Sequence, residues 1–170
     1  AIYNGLSGQV DENIELDLTA DKVSILNDAE QAVLNFNSHN LDKKAYVLRL
    51  AGLVGPHRHP GKFLLNGRML NSPQAIVNLI HQHDAVGLIQ TLLQGDICGG
   101  IFNGVSATQV TKKQYYQAAA NALNLPMPNF EEKDLISVSD PKIVSGKKTR
   151  ESLAYSFFYD DLLTWLEQVD

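Results

Sequence analysis

The run AYVLRLAGLVG, residues 45 to 55, constrains the fold more than any other stretch. It is apolar and rich in β-branched residues, Arg49 is its one charge, and it stops at Gly55-Pro56. An apolar run without polar alternation reads as a strand buried on both faces. Such a strand belongs in a parallel sheet covered by helices, and it needs a neighbour along each edge.

The segments around it supply those helices. Val23, Leu26, Ala29, Val33 and Phe36 recur at helical spacing, which predicts a helix over 22–37 with Asp21 as its cap. IVNLI, 76 to 80, reads as a short strand, and HDAVGLIQTLLQG, 83 to 95, as an amphipathic helix. In that helix Asp84 favours the N-terminal dipole and Gly95 marks the stop. GGIFNGVS, 99 to 106, predicts another strand. Thr111 caps a helix that ends before Pro126. SGKKTRESLAY, 145 to 155, and DDLLTWLEQ, 160 to 168, predict two short helices. NGLSGQVDEN, 4 to 13, reads as a loop. The order of elements gives an α/β fold class.

Bulk properties narrow the function. The net charge of −5 comes with no basic stripe and no interleaved aromatic residues, which argues against nucleic-acid partners. No apolar run is long enough to span a bilayer, and no signal-peptide pattern occurs, so the expectation is a protein without a membrane partner. Cys98 has no second cysteine to pair with, which fits a reducing, cytoplasmic setting. The chain opens on AIYNG without an initiator Met, which reads as the continuation of an upstream segment.

Several motifs fail on physical grounds. No G-x-G-x-x-G occurs, so the dinucleotide-binding turn is not among these residues. Gly55 followed by Gly61-Lys62 imitates a P-loop, but Phe63 replaces the hydroxyl that would meet magnesium. Pro56 and Pro60 also remove N–H donors from which a phosphate cradle is made. His57 with His59 and His81 with His83 form two H-x-H pairs. They leave a metal-binding protein as one reading, against solvated loop histidines beside a capping acid.

Six stretches, in order, resemble one family. They are IYNG with VDEN (2–13), DAEQAVL (28–34), VLRLAGLVGP (47–56), NLIHQHDAVGLI (78–89), the run from Ile101 to Pro128, and the run from Lys142 to Leu166. Together they are similar to the second half of the extended short-chain dehydrogenase/reductases, the NAD-dependent epimerase/dehydratase group. Within that group they look closest to nucleoside-diphosphate-sugar-epimerase-like proteins. The resemblance implies one partial domain over 1–170: the last strands and helices of a Rossmann-like fold with its small substrate-binding subdomain. It implies that Tyr3, Gly52, Leu53 and Val54 border a cofactor, NAD or NADP, if the missing N-terminal half is present. It implies that Gly55, Pro56, Arg58, Lys62, Asn78 and His81 border a small-molecule substrate, with Arg58 and Lys62 suited to an anionic group.

The chain departs from the family pattern where chemistry is expected. The family's Tyr-x-x-x-Lys would precede Glu30 by eight and four residues, and those places hold Lys22 and Leu26. The family's catalytic Ser or Thr would lie before Ala1. In nucleotide-sugar members an Arg meets the diphosphate at the position held here by Val77. Two readings follow: the substrate-binding half of an epimerase, dehydratase or reductase, or a non-catalytic dinucleotide sensor or scaffold of the same superfamily. In either case strand 45–55 should have an open edge, and the isolated chain should associate with itself or with the missing half.

Overall fold

A computed structural model of the chain describes residues 1–38, 44–65, 67, 69–131 and 140–168. The elements run β1 (Gln9–Val10), α1 (Asp21–Ser38), β2 (Tyr46–Leu50), β3 (Gly52–Val54), β4 (Leu79–His81), α2 (Gln82–Gln94), β5 (Gly100–Gly104), α3 (Lys112–Ala122), β6 (Ile143–Val144), α4 (Lys147–Ser152) and α5 (Leu162–Glu167). Two 3-10 turns, Pro56–Arg58 and Pro60–Leu64, lie between β3 and β4. Among the described residues no helix is long and apolar enough to cross a membrane.

The strands form three parallel pairs: β1 with β6, β2 with β5, and β3 with β4. The expected single strand over 45–55 is therefore two. Tyr46–Leu50 pairs with Gly100–Gly104, and after Ala51 the chain changes partner, so that Gly52–Val54 pairs with Leu79–His81. Its burial is also less than expected, with Tyr46 to Arg49 half-buried and Leu50 exposed. The cause is geometric: among the described residues β2 has a partner on one edge only. The strand expected at 76–80 lies at Leu79–His81 instead, while Ile76 makes an isolated antiparallel bridge to Thr111. Gln9–Val10, expected as loop, is held as a strand by Ile143–Val144.

The helices follow their sequence signals closely. Thr111 closes a capping box on α3: its hydroxyl accepts from the Gln114 N–H, and the Gln114 side chain accepts from the Thr111 N–H. Gly95 ends α2 as expected. Asp21 differs, since it is the first residue of α1, where its charge meets the dipole, rather than the cap before it. Asp84 differs more. It is fully buried, and its carboxylate accepts from Tyr155 Oη at 2.8 Å, Phe158 N at 2.7 Å and Tyr159 N at 2.9 Å. It therefore ties the segment after α4 onto α2, a larger role than complementing a helix dipole.

Two apolar cores lie on either side of β3 and β4. One joins Val54 to Tyr115 and Ala119 of α3 and to Leu162, Trp165 and Leu166 of α5. The other joins Ile80, Ala85, Leu88, Leu92, Phe102 and Leu153. Each such fully buried side chain stabilises the fold by roughly 1.5–3 kcal/mol relative to exposure. A third, smaller cluster, Ile2, Tyr3, Val10 and Val23, anchors the start of the chain to the first turn of α1.

Candidate functional site

Two cavities meet at Gly52, the first residue of β3. The larger, of about 670 Å³, runs between α1 and β2, and Tyr3 and Asn78 also line it. Every residue from Tyr46 to Gly52 lines this cavity. A cavity over a sheet face would touch alternate residues, because side chains alternate along a strand. Unbroken lining marks the open edge of β2. The smaller cavity, of about 310 Å³, lies on the other side of Gly52, between β3 and α3. Leu53, Val54, Arg58, Val77 and Tyr115 are among the residues that line it.

The floor of the larger cavity is polar and fully bonded. Arg49 holds Glu30 through two contacts, Nε to Oε1 at 2.9 Å and Nη2 to Oε2 at 2.6 Å. The two side chains are only 7% and 12% exposed, so the pair is largely shielded from water. Arg49 Nη1 also donates to Tyr3 Oη at 2.8 Å, and Tyr3 Oη donates to Asn103 Oδ1 at 2.8 Å. Asn103 in turn donates its N–H to Glu12 Oε1 at 2.7 Å. Burial pushes the Tyr3 phenol above its ordinary value, so it stays protonated at neutral pH. Burial alone would lower Arg49, but its bonds to Glu30 and Tyr3 outweigh that and hold the charge. Asn103 was not legible as a partner of Tyr3, since it lies 100 residues away in the sequence.

Leu26 lines the larger cavity beside Glu30, at the place where the resembled family carries its Lys. Lys22 is exposed and is not part of the lining.

The residues expected at the site divide into three groups. Gly52, Leu53, Val54 and Arg58 line the smaller cavity, and Tyr3, Gly52 and Asn78 line the larger one. Asn78 is engaged in holding the chain: its Nδ2 donates to Lys142 O at 3.0 Å, and its Oδ1 accepts from Val144 N at 2.7 Å. Gly55, Pro56, Lys62 and His81 line neither cavity. Gly55 lies against Gln82, whose side chain a Cβ there would meet at 2.7 Å, so the demand for glycine comes from within the chain. A Cβ on Gly52 would likewise meet Leu79 Cδ2 at 2.7 Å. Lys62 Nζ donates to Pro56 O at 3.3 Å and closes the loop on itself.

The histidines serve packing and capping. His81 Nδ1 accepts from His83 N at 3.1 Å and caps α2, and its ring packs on Tyr159 and Trp165 with centroids at 4.0 and 4.9 Å. His59 Nδ1 accepts from Gly61 N at 3.1 Å, and its ring also lies against Trp165, at 5.6 Å. Burial lowers the pKa of both. Among the described residues no group of three or more His, Cys, Asp or Glu side chains could hold a metal ion.

An α/β chain with parallel strands and these motifs has the fold of part of the NAD-dependent epimerase/dehydratase proteins. Protein YeeZ of Escherichia coli K12 is 30% identical to it over 163 residues, which span 96% of this chain and 57% of YeeZ. A conserved protein of unknown function from Silicibacter pomeroyi superposes with a TM-score of 0.78 at 25% identity, over 99% of this chain and 62% of that one. The UDP-glucuronic acid 4-epimerase of Bacillus cereus, solved in complex with NAD, superposes with a TM-score of 0.75 at 17% identity, over 99% of this chain and 55% of the epimerase. No family model matches the chain.

Proposed function

We propose that this chain is the substrate-binding half of an NAD(P)-dependent epimerase/dehydratase or reductase-like protein, with the dinucleotide-binding half supplied from outside these 170 residues. The observation that carries this reading is the open edge of β2 along the 670 Å³ cavity, which joins the substrate-side cavity at Gly52. A parallel strand with one bare edge, beside a helix that turns Leu26, Ala29 and Val33 to the same cavity, is a seat for a further strand. The residues present fit NAD or NADP only in part. Gly52, Leu53 and Val54 offer backbone to the nicotinamide end, whereas no glycine-rich turn is here to cradle the pyrophosphate. A bound dinucleotide would supply hydride acceptance and return. The substrate is a small molecule that reaches Arg58 from the 310 Å³ side.

A second reading, a non-catalytic dinucleotide sensor or scaffold, is favoured by one specific observation. Leu26, which cannot donate a proton or polarise a phenol, lines the cavity where the family's Lys would stand. Titration of the protein at its natural length with NADH and, separately, with NADPH, followed by fluorescence, tests the shared part of both readings. Saturable binding is expected, and its absence would sink both. Reduction of NAD by any sugar or carbonyl-derived substrate then selects the enzyme, and bound NADH that never turns over selects the sensor.

A further inference from the structure

We propose that His59 and His81 form an acid-operated latch on Trp165, whose protonation releases α5 while the rest of the fold stays in place. The two imidazoles are 1% and 3% exposed, and Trp165 is 3% exposed. Their rings pack on the indole from β4 and from the loop after β3, with centroids at 4.9 and 5.6 Å. Each Nδ1 accepts a backbone N–H at 3.1 Å, from Gly61 for His59 and from His83 for His81. An accepting Nδ1 leaves the ring proton on Nε2, and neither Nε2 has a hydrogen-bond partner. Both rings are therefore neutral, buried and without an acceptor for a second N–H. A further proton turns each Nδ1 into a donor facing a donor, and sets a charge among aromatic rings. Moving Trp165 away lets water reach both charges at once, and Trp165 carries α5 with it.

The charged groups around the pair sort by ring. Lys62 acts on His59 and opposes its protonation. Asp84 favours protonation of His81, and His83 opposes it. The other elements packed there bring Asp161 and Glu167 at the ends of α5, both exposed, and on α3 the buried Tyr115, with Lys112 and Lys113 in the first turn. Asp160, next to Tyr159, is held by Arg150 at 2.7 Å. Burial outweighs Asp84 and holds both imidazoles below their ordinary 6.5, so the latched state refuses protons that the released state accepts. The latch is therefore fully closed above about pH 6.5 and loosens as pH falls from there toward the lowered folded values. Contacts that do not involve the two rings limit the release. Asp84 accepts from Tyr155, Phe158 and Tyr159 and anchors the chain as far as Tyr159. The buried residues of the other core, from Ile80 to Leu153, are all apolar. Release is thus confined to α5, Leu162–Glu167. It uncovers Val54 and Tyr115, which also line the 310 Å³ cavity, so the same step deforms that cavity.

The test is hydrogen exchange of the protein at its natural length, read by mass spectrometry between pH 7 and pH 5 with the intrinsic pH dependence of amide exchange removed. Peptides covering α5 should open more in acid, by about a hundredfold per pH unit below pH 6.5, as for a step that takes up two protons. Peptides covering α2, β5 and the amides of Phe158 and Tyr159 should keep their protection. His59→Asn and His81→Asn each retain an acceptor for the capped N–H and cannot titrate. Each alone should flatten the dependence to about tenfold per pH unit, and both together should abolish it. Should a variant not fold, the slope of the unaltered protein decides. The proposal is overturned by a slope of tenfold or less in the unaltered protein, by equal loss of protection in α5, α2 and β5, or by an unchanged slope in both single variants. An onset only below about pH 4.5 also overturns it, because that is the range of a carboxylate such as Asp84 rather than of an imidazole.

Discussion

The two flanks of the molecule are built to different standards. On the α3–α5 flank, Tyr115, Leu162, Trp165 and Leu166 are all at most 3% exposed, and α3 and α5 bury Val54 of β3. On the α1–β2 flank, Ile25 is 68% exposed, Val33 44% and Leu50 38%. The helix has the same kind of apolar spacing on both flanks, so patterning alone does not explain the contrast. What differs is the edge beside it. Val54 of β3 is buried beneath α3 and α5, whereas β2 lies open along a 670 Å³ cavity. α2 also shows an exposed apolar stripe, Val86, Ile89 and Leu93, but its opposite face is packed by Ala85, Leu88 and Leu92. The tighter packing lies on the α3–α5 flank, and under the proposed function the other flank takes a partner strand.

Substitutions sharpen that contrast, starting with the largest effect. Trp165→Ala should cost about 3–5 kcal/mol of unfolding free energy in urea melts, since it opens a cavity against His59, His81 and Tyr159. Asp84→Ala should cost roughly 3 kcal/mol, because three part-buried donors lose their one acceptor, a fully buried carboxylate. Glu30→Gln, on the open flank, should cost about 1–2 kcal/mol, because a bidentate charged contact to a buried guanidinium is lost. A cost there equal to that of Trp165→Ala would break the contrast.

Acid should act on the closed flank. Burial holds His59 and His81 below the ordinary value of 6.5, so below that pH the unfolded chain binds protons that the folded one refuses. Stability should therefore be full above about pH 6.5 and fall as pH drops from there toward the lowered folded values. Protonation also turns each Nδ1 into a donor facing the N–H it now accepts from, Gly61 or His83. Urea melts at pH 7 and pH 5 should show this loss, and His81→Gln should reduce it. Last and smallest, Val33→Ser in the chain of residues 1–170 should change stability by no more than about 0.5 kcal/mol, as for an exposed site. In the protein at its natural length the same change should cost more, if a strand covers that cavity.

Local signals were legible and long-range ones were not. Thr111 with Gln114, and Gly95, mark helix ends within a few residues, and those ends stand where expected. The run 45–55 announced a strand, but a change of partner at Ala51 leaves no trace in an apolar run. Asp84 read as a dipole residue because its real donors, Tyr155, Phe158 and Tyr159, come seventy residues later. Nothing in the sequence singles out Tyr115, and only burial of its hydroxyl without a hydrogen-bond partner sets it apart. His59 and His81 looked like half of two metal pairs, and the ring of Trp165 that both pack against is far along the chain. For the site, the resemblance named Gly52, Leu53 and Val54 for a cofactor and Arg58 for a substrate, and one cavity is lined by all four, while the network joining Tyr3 to Arg49, Asn103 and Glu30 needed the fold.

Under the proposed function, the outer edge of β2 receives a strand. Native-state hydrogen exchange of the amides from Tyr46 to Leu50, in the protein at its natural length, tests it most directly. Successive N–H groups of a strand point to opposite edges, so a strand with one partner protects only alternate amides. Protection of all five residues of β2 is expected. Alternation, with every second amide exchanging as fast as a loop, would show the edge bare and contradict it.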